Sequence, residues 1–215
     1  MYMKKSAKYL WAAVGFLAAF VLWTGALTVL DRQPVGPGGS VVGFAALNGQ
    51  VRALTGHHPG LYLLTDLLSL IPGLFVAGFA LLGLAQWIRR RSLLRVDRSI
   101  LLLGIFYLAV LAVYLLFEAC PVNFRPVLID GRLEASYPSS TTVLVLCVMA
   151  TAALQLKARM KNSRPMVAAI TAFSAFMVLA RLLSGVHWVT DILGGILLSA
   201  GLVLLYRAAL DRWDL

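Results

Sequence analysis

The run Ala180-Arg181-Leu182-Leu183-Ser184-Gly185-Val186-His187-Trp188-Val189-Thr190-Asp191 holds the chain's most chemically suggestive residues. His187 and Asp191 are spaced i, i+4, so on a helix they share one face. A carboxylate there can accept the proton of one ring nitrogen, fixing the tautomer and leaving the other nitrogen as a nucleophile. Arg181 precedes a Ser-Gly break that can turn the chain back on itself, and its planar guanidinium suits bidentate phosphate binding. The plainer alternative is that Arg181 and His187 anchor helix ends at lipid headgroups. Three ionisable groups together beside apolar segments favour function, because such groups are costly there without a role.

Two further elements belong with this one. Asn123-Phe124-Arg125-Pro126 supplies a second arginine. Ser136-Tyr137-Pro138-Ser139-Ser140-Thr141-Thr142 reads as the start of a helix, where proline is tolerated and the first backbone N–H groups point outward, ready for an anion. Alone, an Arg-Pro pair or a Pro-Ser-Ser helix start is ordinary.

The elements that must position these residues follow from composition. Of 215 residues 60% are hydrophobic and 13% charged, with a mean hydropathy of +0.86. The charges cluster between apolar runs at about Tyr9–Leu30, Asp66–Trp87, Ser99–Phe117, Pro138–Leu156, Val167–Leu183 and Trp188–Tyr206. Each run is long enough to cross a bilayer, and each must be helical, since irregular backbone cannot face lipid. The expectation is an all-α bundle of six transmembrane helices, one membrane-embedded domain over residues 1–215. The first run is too long for a signal-peptide core and reads as an uncleaved span. Pro72-Gly73 predicts a kink in the second. Asp66 reads as a charge at that span's N-terminus, and Val41 to Leu54 as a short helix lying on the membrane surface.

The formal net charge of +10 would suggest nucleic acid in a soluble protein. Here its distribution argues for topology and anionic headgroups instead. Lys4, Lys5, Lys8, Arg89, Arg90, Arg91, Arg95, Arg98, Lys157, Arg159, Lys161, Arg164, Arg207 and Arg212 all fall on one side if the spans alternate. That side is expected to be cytoplasmic, with both termini inside. Arg32, Arg52, Arg125, Arg132 and Arg181 fall outside, with His57, His58, His187 and Asp191. Cys120 and Cys147 read as small apolar fillers, and Trp11, Trp23, Trp87 and Trp188 as interfacial or packing residues.

On these residues the chain resembles the type 2 phosphatidic acid phosphatase superfamily, whose signatures are K-x6-R-P, P-S-G-H and S-R-x5-H-x3-D. Arg181, His187 and Asp191 match the third. The resemblance implies that His187 attacks phosphorus, that Asp191 orients it, and that Arg125 and Arg181 hold the phosphate oxygens. Pro138 and Ser139 match the start of the second signature, and Ser140 joins the implied phosphate-binding set. No metal or other cofactor is expected, since the basic cluster already neutralises the phosphate and no set of His and carboxylate ligands is evident. The partners the resemblance implies are a lipid phosphate or diphosphate and the bilayer of a cell membrane, and the charge distribution puts the expected active site on the outer face. No protein partner is indicated.

The chain departs from the signatures at three places. Glu118 stands for the lysine, Ala180 for the serine, and Ser140-Thr141 for Gly-His. The family's second histidine protonates the leaving group, and the Thr141 hydroxyl is a poor acid. A phosphate monoester ejects a basic alkoxide, for which general acid catalysis contributes roughly 10²–10⁴-fold. A diphosphate ejects a phosphate monoester of second pKa about 6, which leaves unaided. The expected substrate is therefore a lipid diphosphate such as an isoprenoid diphosphate. Glu134, His57 and His58 are candidates for a substitute acid, Glu134 and Thr141 for a gate. The alternative from another class is a non-catalytic binder of lipid phosphates. A transport role would need polar residues at mid-depth in the spans, which are almost lacking.

Overall fold

The computed structural model describes residues 2–212, with backbone alone for residues 2–5; the Lys4 and Lys5 side chains therefore lie outside the described residues. Among the described residues there are eight α-helices: α1 (Tyr2–Val29), α2 (Ala45–Thr55), α3 (Pro59–Leu68), α4 (Leu70–Arg90), α5 (Arg98–Ala119), α6 (Ser140–Arg159), α7 (Arg164–Leu183) and α8 (Val189–Arg212). They provide six stretches long and apolar enough to cross a membrane, with α3 and α4 together forming the second. The chain is a multi-pass membrane protein.

The second span differs from expectation at its start. Helix begins at Pro59, a residue suited to the first helical position, so Asp66 lies in the last turn of α3 and is not an N-terminal charge. The helix breaks at Ser69, between α3 and α4. Pro72 accounts for the break: its ring clashes with the carbonyl four residues back, that of Leu68, and it has no N–H to offer.

Helix α6 sits at the centre, packed against α4, α5, α7 and α8. Its sequence explains this. Thr141, Thr142, Thr151, Ala152 and Ala153 are buried, and small side chains let helices approach closely where lipid supplies no hydrophobic drive. Helix α1 lies along α8, and the contact depends on Gly201, where an added Cβ would stand 2.6 Å from Leu17 Cδ2. Helices α4 and α5 keep largely exposed apolar surfaces, as lipid-facing helices should.

The two ends of the bundle differ. At one end Asp97 accepts hydrogen bonds from Gln86 and Arg90 and, at 3.2 Å, from Arg159, joining the α4–α5 turn to the end of α6. At the other, the connections before α2, between α5 and α6, and between α7 and α8 meet one another.

Candidate active site

The α5–α6 connection folds as a small hairpin. Asp130 and Gly131 both adopt positive φ, 48° and 75°, the backbone of a two-residue hairpin turn. The backbones of Ile129 and Arg132 exchange hydrogen bonds across it, at 3.0 and 2.9 Å. Further along, the Arg125 N–H donates to the Glu134 carbonyl at 3.0 Å and the Ser136 N–H to the Asn123 carbonyl at 2.9 Å. Arg125 and Glu134 thus face each other, with Nε 3.1 Å from Oε2. The Nε–H does not point along that line, so the pair is electrostatic and Nε makes no hydrogen bond.

The α7–α8 connection holds His187, which precedes α8 rather than lying on it. The expected shared helical face with Asp191 is therefore not formed. The His187 Nδ1 acceptor is the Ser136 carbonyl, 3.1 Å away, while Asp191 Oδ2 stands at 3.6 Å, too far for a hydrogen bond. Asp191 Oδ2 instead accepts from the Trp188 N–H at 2.9 Å, and its carbonyl accepts from the Ser139 N–H at 3.1 Å. Asn123 and Ser136 face the same carboxylate, although Asn123 Nδ2, Ser136 Oγ and Asp191 Oδ1 do not reach hydrogen-bonding geometry.

A carbonyl oxygen can only accept, so Nδ1 carries the ring proton and Nε2 keeps its lone pair. His187 is 4% exposed, and Nε2 has no hydrogen-bond partner among the described residues. Burial, then the positive charges of Arg125 and Arg181, hold its pKa well below the usual imidazole value. Both guanidinium groups thus act on the imidazole through their charge. Arg181 is buried; Nη1 donates to Thr65 Oγ1 at 3.0 Å, and the group lies 4.8 Å over the Tyr62 ring. Arg181 Nε and Arg125 Nη1 find no partner among the described residues. Unpartnered buried donors are rare and call for an explanation.

Ser139 is the N-cap of α6. Its Oγ accepts from Thr142 Oγ1 at 3.0 Å and, weakly, from the Thr142 N–H at 3.5 Å. Ser139 is thus engaged in capping, while the N–H groups of Ser140 and Thr141 have no acceptor within the helix. Ser140, Thr141, Glu134, Glu118 and Arg125 all line one end of a groove of about 1070 Å³. The rest of its wall is mostly apolar, including Val76 and Phe79 of α4, Leu103 and Val110 of α5, and Val143 of α6.

The His187 loop is clamped from outside by residues of the first outer segment, of which sequence reasoning singles out His57 and His58 but not the roles of Asn48 and Arg52. Arg52 Nη1 donates to the Gly185 carbonyl at 2.6 Å, and its guanidinium lies 5.9 Å from the Trp188 ring centroid. The His58 N–H donates to the Ser184 carbonyl at 3.0 Å, and His57 Nδ1 reaches the same oxygen at 3.0 Å. Asn48 Nδ2 donates to Thr190 Oγ1 at 3.0 Å. Gly185 has φ +71°, and a Cβ there would collide with the Gly56 carbonyl; no other residue fits this close approach. His57 and His58 are tied to backbone carbonyls and do not line the groove.

No curated protein sequence matches the chain. A solved structure from Bacillus subtilis, described as a transmembrane PAP2 type phosphatidylglycerolphosphate phosphatase, shares the fold, with a TM-score of 0.62 and 17% identity over 95% of this chain and 98% of that one. The sequence profile of the PAP2 superfamily matches residues 105–214, from within α5 to beyond α8, and the chain therefore belongs to that superfamily.

Proposed function

We propose that the protein is a lipid-diphosphate phosphatase that works through a phosphohistidine on His187. The family supports a membrane lipid phosphatase. The observation that carries the finer reading is the state of His187: neutral, its Nδ1–H engaged by Ser136, its Nε2 unpartnered, with two arginines beside it.

In this reading the Nε2 lone pair attacks phosphorus in line. The bond from phosphorus to the bridging oxygen breaks, and the electrons leave with the lipid monophosphate. Arg125, Arg181 and the N–H groups of Ser140 and Thr141 stabilise the equatorial oxygens. Asp191 supports the imidazolium charge through space while holding the Trp188 backbone. Water then attacks the phosphohistidine, the P–N bond breaks, and orthophosphate departs with the proton of that water lost to solvent. Thr141 stands at the groove end where the family's general acid would be, so a leaving group that needs no proton is favoured. The apolar groove offers room for the lipid chain. The basic ends of the spans support a topology with both termini in the cytoplasm and the site on the outer face of a cell membrane.

The loss of that acid, with Glu118 lining the groove where the family has lysine, favours a second reading, a non-catalytic lipid-phosphate binder. Phosphate release from lipid mono- and diphosphates in detergent, with His187→Ala as control, decides. An enzyme releases phosphate fastest from the diphosphates and loses that activity in the variant. A binder shows no turnover in either form.

A further inference from the structure

Arg125, the residue assigned to the substrate phosphate, already faces an anion of its own chain. Glu134 stands opposite it across the hairpin, held there by the backbone bond between the two residues. Its Oε2 lies 3.1 Å from Arg125 Nε. The two side chains differ in access: that of Arg125 is 10% exposed and that of Glu134 39%. The carboxylate has a way out to water and the guanidinium does not. Both line the polar end of the groove.

We propose that Glu134 is a built-in competitor for the phosphate site, an internal carboxylate that every incoming phosphate must displace from Arg125. This rests on the reading of the site as a phosphate site. Two anions cannot share one guanidinium edge without mutual repulsion, which is strong where little water screens it. Each phosphate therefore meets the same penalty. A lipid phosphate offsets it by burying its chain against the groove wall. Orthophosphate, the product, has no chain. Glu134 thus returns to Arg125 as the product leaves, and free phosphate at ordinary concentrations does not occupy the site. The hairpin makes the exchange local, because the Asp130-Gly131 turn and the backbone bonds hold both residues in register while only the Glu134 side chain swings.

The test uses the full chain in detergent, with Glu134→Gln and Glu134→Asp. The measured quantities are the inhibition constant of orthophosphate and the KM for an isoprenoid diphosphate. In Glu134→Gln both fall by the same factor, about tenfold, as loss of one close charge pair predicts. Glu134→Asp keeps the charge on a shorter stem and gives an intermediate shift, which keeps the test open should the glutamine variant not fold. An unchanged or weaker orthophosphate affinity in the folded variants overturns the proposal. Lost turnover with unchanged orthophosphate affinity also overturns it, by making Glu134 a proton donor. Should the wild-type protein turn over no lipid phosphate, the activity reading fails. Calorimetric titration of the same proteins with orthovanadate then decides the Glu134 proposal separately, through the same tenfold gain or its absence.

Discussion

His187 Nδ1 lies 3.1 Å from the Ser136 carbonyl oxygen, closer than to the carboxylate of Asp191 at 3.6 Å. A backbone group on the α5–α6 connection thus sets the tautomer of a histidine on the α7–α8 connection. This bond couples the hairpin that carries Arg125 to the loop that carries His187, the proposed nucleophile. A shift of either would separate the arginine from the imidazole it serves.

The depressed pKa of His187 gives a stability prediction. Burial and the charges of Arg125 and Arg181 disfavour the imidazolium in the folded protein, whereas the unfolded chain protonates near pH 6.5. Below that pH the unfolded state binds more protons, so stability falls as pH falls, by up to about 1.4 kcal/mol per pH unit. Thermal unfolding in detergent between pH 7 and pH 5 should show this slope. His187→Asn should flatten it. An equal slope in both proteins would mean that His187 does not titrate in this way.

Thr141 tests the argument about the leaving group. It is buried and lines the groove, and in the proposed reading it stands in for the family's acid. Thr141→His should raise phosphate release from phosphatidic acid by roughly 100-fold and leave diphosphate cleavage close to the wild-type rate. Equal acceleration of both substrates would show that the missing acid does not set the preference.

Arg52 lies outside the region matched by the family profile, yet it donates to the Gly185 carbonyl and packs on Trp188. Arg52→Ala should lower kcat about tenfold, the worth of one charge-assisted hydrogen bond, with KM little changed. Arg52→Lys should recover part of the loss, because an ammonium can still donate but does not stack as guanidinium does. A change confined to KM would place Arg52 on the substrate instead.

The groove makes its own prediction at Gly104. A Cβ there meets nothing within 4 Å, and the residue lines the apolar wall. Gly104→Phe should fill space needed by a lipid chain. The loss of about two buried methylenes raises KM roughly tenfold for long-chain substrates. Hydrolysis of a soluble aryl phosphate should be unaffected. Equal effects on both would argue against the groove as the site of the chain.

Much of the architecture could be read from the residues because a bilayer leaves few options: apolar runs of sufficient length become helices. The second span was misjudged because the apolar run from Pro59 to Leu64 is short and follows a polar stretch, which hid the proline that starts α3. The kink signal at Pro72-Gly73 was sound, and the break falls where the proline ring meets the preceding turn. At the site, the arginines and His187 were recognisable because ionised side chains beside spans need a reason. The role of Ser136 was not, because it acts through its backbone carbonyl, which side-chain identity does not encode. Asn48, Arg52, Tyr62 and Thr65 come from distant segments with no local pattern to mark them. The Asp130-Gly131 dipeptide did carry a local hairpin signal, but the register of that turn alone would set Ser136 opposite Arg125, and the two-residue offset that brings Glu134 there instead has no local mark.

The most direct measurement is to trap the phosphoenzyme. Wild-type protein is mixed with an isoprenoid diphosphate labelled in its terminal phosphate, quenched in alkali and mapped by mass spectrometry. The label should sit on Nε2 of His187 and be lost, together with turnover, in His187→Ala. Turnover at the wild-type rate in His187→Ala, or a label on any other residue, would contradict His187 as the nucleophile.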